Sequence, residues 1–252
     1  MPELGLAVWA AALGITLFSG LVKGAIGLGQ PLIMVSGLTM VLEPNLAVAG
    51  LLFPIVLSNL MQTFRTGIAP AIAAMKDFWR YTLIVCITIA IFAQIVPRLD
   101  PHVFYLVLGV PVMALSLIQL FGLRLHIAEK NRGWAEWVVA TISGAIGGLT
   151  GTWGPTTVLY LLAIDTPKSR QVVVQGVIYG IGAVVLFVAH IKSGILNWGT
   201  APFSAALLVP SVIGMWLGFQ IQDRLDQDLF RKATLVLLTV AGLNLVYKGL
   251  SA

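Results

Sequence analysis

The chain has 252 residues, of which 58% are apolar and only 10% charged, with a formal charge of +5 and a mean hydropathy of +0.96. Soluble domains carry about 25% charged residues, so there is too little charge here to wet a globular surface. An ordinary soluble enzyme, a disordered chain and a nucleic-acid binder are excluded, and a multi-pass membrane protein remains.

At about 20 apolar residues per crossing, the length holds roughly eight spans and no soluble domain. Apolar stretches fall at 4–42, 46–64, 79–97 and 102–121. A polar loop occupies 122–136, and further apolar stretches follow at 137–164, 171–190, 202–222 and 233–250. Backbone groups must pair internally in lipid, so each stretch is read as helical. The N-terminus shows no cationic segment and no cleavage site, and is read as mature protein. Cys86 is the single cysteine. It excludes an intrachain disulfide and a multi-Cys metal site; no cofactor is expected.

Two stretches, 4–42 and 137–164, are interrupted by glycine and proline, and the interruptions repeat. Residues 20–31 read GLVKGAIGLGQP and residues 144–155 read GAIGGLTGTWGP. At an offset of 124, Gly20, Gly24, Gly27 and Pro31 match Gly144, Gly148, Gly151 and Pro155. RLDPHVF at 98–104 echoes RLDQDLF at 224–230 at an offset of 126, with Gln94 and Gln220 in the same frame. Two echoes at nearly one offset argue for an internal duplication. The expected division is a first repeat at 1–121, a central loop at 122–136 and a second repeat at 137–252.

Two arrangements follow. If each broken segment crosses once, the repeats are parallel. The Lys and Arg residues outside the membrane then divide 8 against 6, the six being Arg98, Lys168, Arg170, Arg224, Arg231 and Lys232. If each broken segment re-enters and returns, the repeats are inverted. Only Arg98, Lys192 and Lys248 then oppose the other 11, with Lys23 left out of both counts. The positive-inside rule prefers the inverted arrangement. Residues 137–150 also give only about 21 Å of helix, too little for a core of about 30 Å.

A helix break in the bilayer is tolerated only inside protein or beside a wet cavity. Equivalent breaks in two halves are the pattern of secondary transporters, with the site between the repeats. The second arm of each break is expected to begin near Pro31 or Pro155, because proline suits the first helical turn. The amides of the preceding turns then point into the cavity with positive partial charge. Gly27, Gly29, Gly151 and Gly154 would let a ligand approach the backbone closely. Such a site prefers a compact oxyanion. Lys23 is a cation within an apolar run, which is functional by default, though it can also snorkel or cap carbonyls. It aligns with Gly147, so the expected site is asymmetric.

Gln30, Thr152, Trp153 and Thr156 lie at or beside the two turns. Asn59 and Gln62 stand one turn apart on 46–64, and Gln175 and Tyr179 one turn apart on 171–190. Interhelical hydrogen bonding explains these four as well as ligand contact does. His190 reads as an interfacial histidine rather than a proton carrier. With no convincing intramembrane carboxylate, a carboxylate-based Na⁺ or H⁺ site is disfavoured.

On GLVKGAIGLGQP and GAIGGLTGTWGP, duplicated and opening each half, the chain resembles the sulfite exporter TauE/SafE family, also called the toluene sulfonate uptake permeases. The resemblance covers nearly the whole chain. It implies a multi-pass transporter of the bacterial inner membrane for sulfite, sulfonates, sulfoacetate, thiosulfate or related organic anions. The family commonly carries glycine where this chain has Gln30, and a small residue where it has Trp153. These departures point either to a larger organic sulfonate or to a different lining.

The expected partners are a small anionic substrate and the lipid bilayer, with no nucleic acid. Coupling to H⁺ or Na⁺ and homodimeric assembly are left open. The alternative reading is an anion or small-solute channel, which shares broken hairpins. An intramembrane enzyme would need a nucleophile–base pair or a metal motif, and the sequence shows no such array.

Overall fold

The computed structural model describes residues 4–65, 67–98, 100–122, 126–151, 153–166, 168–222 and 227–251. These form eleven α-helices: α1 (Leu6–Ile26), α2 (Gln30–Leu38), α3 (Pro44–Phe64), α4 (Ile68–Asp77), α5 (Trp79–Phe92), α6 (Pro101–Leu120), α7 (Arg132–Thr150), α8 (Gly154–Ala163), α9 (Lys168–Lys192), α10 (Ala201–Gln222) and α11 (Gln227–Ser251). There is no strand among the described residues. Five segments are long and apolar enough to cross a membrane: Leu6–Ile26, Pro44–Phe64, Trp79–Arg98, Val173–Lys192 and Ala201–Ile221. The chain is therefore an all-helical, multi-pass membrane protein.

Both interrupted stretches are broken helices. The second arms start one residue before their prolines, at Gln30 and Gly154. One expectation needs correction. α7 begins at Arg132, and its 19 residues give roughly 28 Å, so this arm is not too short to cross. The short arms are α2, with 9 residues, and α8, with 10, at roughly 14 and 15 Å. Each runs back along its predecessor. Gly37 of α2 sits against Ile15 of α1, where an added Cβ would meet the side chain at 2.8 Å. Ser143 of α7 hydrogen-bonds with Thr156 and Thr157 of α8. The Ile127 amide, just before α7, donates to the Ala163 carbonyl at the end of α8 (2.8 Å).

Small residues let helices approach where lipid supplies no hydrophobic drive. Gly20 and Gly24 bring α1 against Ser211 and Met215 of α10. Gly144 and Gly148 bring α7 against Val85 and Ile89 of α5. Val85 and Ile89 stand 126 residues before Ser211 and Met215, the offset of the second sequence echo. α3 also packs on α9, and α6 on α11, and both of these pairs run antiparallel. Thr63 donates to the Gly176 carbonyl (2.6 Å), while Phe53 meets Phe187 edge-on at 5.2 Å. Gly109 packs on Leu245, and Gly249 on Leu106.

Proline inside α3 is accommodated by a neighbour. Pro54 has no N–H for the Gly50 carbonyl four residues back. The Ser204 hydroxyl of α10 donates to that carbonyl instead (3.3 Å), and accepts from the Phe53 amide (3.1 Å). At the helix ends, Arg170 of α9 pairs with Asp77 of α4. Gln94 donates to the Ala189 carbonyl of α9 (3.0 Å). α4 itself was not anticipated, because its charges Lys76 and Asp77 place it between apolar stretches.

Candidate functional site

The two breaks share a backbone design. α1 ends at Gly27 with φ +80°, and its amide donates to the Lys23 carbonyl (2.7 Å). α7 ends at Gly151 with φ +71°, and its amide donates to the Gly147 carbonyl (2.7 Å). Both glycines are in the left-handed region, where a side chain is strained. In the first turn Gly29, at φ +97°, is the N-cap of α2. The amides of Leu28, Gly29 and Trp153 donate to no acceptor among the described residues. The carbonyls of the breaks are held instead: Gln62 donates to Gly27 O and Tyr179 to Gly154 O, each at 3.0 Å.

Between the breaks lies a cavity of about 20 Å³, walled by Lys23, Leu28, Gly29, Pro31, Leu32, Ile55, Asn59, Gly151, Trp153, Gly154 and Tyr179. That is room for about one water. Lys23 is 2% exposed, and its Nζ donates to Asn59 Oδ1. No carboxylate among the described residues pairs with it. A buried cation without a counter-charge is costly, and an anion beside it would relieve that cost.

The opposite wall is aromatic. Trp153 lies between Gly147 and Gly182, where added Cβ atoms would meet its ring at 2.8 and 2.9 Å. It stands edge-on to Tyr179 at 6.4 Å between centroids. Gly147 is the residue that aligns with Lys23, and Trp153 aligns with Gly29. Each half thus has one large and one small residue at these two places, in opposite order.

Of the residues singled out in the sequence, Lys23, Gly29, Asn59, Gly151, Trp153, Gly154 and Tyr179 meet at this cavity. Gly27 and Gln62 sit behind it, bonded to each other. Gln30 points elsewhere, donating to Ser211 Oγ at 2.6 Å. Thr156 bonds back to the Trp153 carbonyl (3.0 Å). Gln175 is buried and does not line the cavity. Thr152 lies outside the described residues. The sequence reading missed Leu28, Leu32 and Ile55 as wall residues. Ile55 carries a usable signal, standing one turn before Asn59 on the same face. His190, two residues before the end of α9, is buried, with Nδ1 3.2 Å from Ser193 Oγ.

A family model described as Sulfite exporter TauE/SafE matches residues 12–245. No curated protein and no solved structure matches the chain.

Proposed function

The chain belongs to the sulfite exporter TauE/SafE family, and from that premise we propose that it moves small sulfur-containing or related organic anions by alternating access between two repeats. Its membership makes it a membrane transporter of the sulfur-anion class and not an enzyme. The observation that carries the finer reading is Lys23, buried with no carboxylate partner among the described residues at a cavity bounded by both helix breaks. A sulfite or sulfonate oxygen would accept a charge-assisted bond from Lys23 and weaker bonds from the amides of Leu28, Gly29 and Trp153. The cavity holds about one water, so the walls must part for an oxyanion to enter. Rocking one repeat against the other would part them.

Inversion of the repeats is supported by the antiparallel pairing of α3 with α9 and of α6 with α11. Equivalent helices related by an axis along the membrane normal would run parallel. The Arg170–Asp77 pair is of the same kind, since only the inverted arrangement puts 77 and 170 on one face. The folded-back arms α2 and α8 favour re-entrant segments. Labelling of single cysteines in a Cys86→Ser background tests this: positions 76 and 168 are expected to react from one side, and 98 and 192 from the other. Labelling of 76 and 168 from opposite faces contradicts it.

The transport reading is tested with sulfite uptake into proteoliposomes. Hydrogen bonds to charged groups contribute about 1.5–3 kcal/mol, so Lys23→Ala is expected to lower uptake by about 10- to 150-fold. Uptake at the wild-type rate by a folded Lys23→Ala protein overturns the anion clamp.

A further inference from the structure

A second hollow, about 370 Å³, lies away from the anion cavity, between α3, α4 and α9. Leu60 and Phe64, Ile72 and Met75, and Ile181 and Val184 form its three sides. Its one polar wall residue, Thr63, turns its hydroxyl to the Asn59 and Gly176 carbonyls. Leu60, Phe64, Ile72, Met75 and Val184 are exposed, so the groove opens on the lipid-facing surface.

The groove has a charged rim at one end. Arg170 of α9 is tied to Asp77 at the end of α4. The wall residues Val177 and Val185 follow Arg170 by 7 and 15 positions, which is roughly 10 to 22 Å along the helix. The apolar groove therefore lies at chain depth beneath the rim. Lys76 and Arg80 are exposed at that rim, and neither pairs with a carboxylate among the described residues. Trp79 between them is 54% exposed, as an aromatic at the headgroup level is.

We propose that this groove binds an anionic phospholipid, with its phosphate on Lys76 and Arg80 and one acyl chain between α3, α4 and α9. Cations over an apolar slot match a headgroup over its chain, and each surface Lys or Arg adds attraction for anionic lipid. The chain would pack beside the Thr63–Gly176 contact, where the two equivalent helices α3 and α9 cross. The inference rests on the membrane fold and not on the identity of the transported anion.

The full-length protein in detergent is titrated with phosphatidylglycerol and with phosphatidylcholine of the same acyl chains, and bound lipid is counted by native mass spectrometry. Two rim cations predict roughly 30-fold tighter binding of phosphatidylglycerol. Lys76→Gln with Arg80→Gln is expected to erase that preference, and Lys76→Arg with Arg80→Lys to keep it. Val184→Trp, which fills the groove from an exposed position, is expected to weaken both lipids. Equal binding of the two lipids by wild type, or a preference that survives loss of both charges, overturns the headgroup site. Unchanged phosphatidylglycerol binding by Val184→Trp overturns the groove.

Discussion

At Gly27–Gly29 the turn is open and a lysine stands one helical turn before it; at Gly151–Trp153 the turn is filled by an indole and a glycine stands in the lysine's place. The backbone is the same in both: a left-handed glycine ends the first arm, its amide returns to the carbonyl four residues back, and proline is second in the next arm. The side chains are different. Two breaks of like backbone therefore frame one cavity with unlike walls, Lys23 with Asn59 on one side and Trp153 with Tyr179 on the other. The two breaks share their backbone geometry, and the side chains that differ between them make the two walls of the cavity unlike.

The comparison can be broken most strongly at Trp153. Trp153→Ala empties the slot between Gly147 and Gly182, and Trp→Ala in a core costs about 3–5 kcal/mol. The net loss is expected at the low end, because the buried indole N–H has no partner among the described residues and its removal is favourable. Half one has nothing equivalent to lose, since Gly29 carries no side chain. The readout is the melting temperature. A Trp153→Ala protein as stable as wild type would mean that the indole does not fill that slot.

The shared scaffold is tested by paired substitutions. Gly20→Leu wedges α1 from α10 at Ser211, and Gly144→Leu wedges α7 from α5 at Val85 and Thr88. Overpacking costs about 1–3 kcal/mol, and the two variants are expected to lose similar stability. A large loss in one half with none in the other would contradict equivalent packing. The smallest effects concern the carbonyls of the breaks. Gln62→Leu and Tyr179→Phe each remove one bond, to Gly27 O and Gly154 O, and each is expected to cost about 1 kcal/mol.

The sequence makes the breaks legible because their causes are local. A left-handed cap calls for glycine, a helix start accepts proline, and a lysine in an apolar run stands out by itself. Those three signals locate Gly27, Gly151, Pro31 and Lys23 without knowledge of any neighbour. What lies opposite each turn is not local. Leu32 reaches the cavity through the register of α2 against α3, which apolar stretches on both helices do not encode. The fit of Trp153 between Gly147 and Gly182 requires α9 to be placed against α7. Gln30 shows the same limit from the other side: it sits at the turn, yet its amide bonds Ser211 of α10. α4 is hidden because a short helix ending in Lys76 and Asp77 reads as a polar connection.

The central claim is that one anion site spans both breaks and depends on Lys23. It is tested most directly by melting the detergent-purified protein, wild type and Lys23→Met, with sulfite, sulfate, thiosulfate, taurine, sulfoacetate and matched carboxylates. A ligand that binds only the folded state raises the melting temperature by mass action. The account predicts a selective rise with a sulfur oxyanion that disappears in Lys23→Met, while the ligand-free variant melts no lower than wild type because a buried cation with no carboxylate partner among the described residues has been removed. No rise with any of these anions, or an equal rise in Lys23→Met, would contradict it.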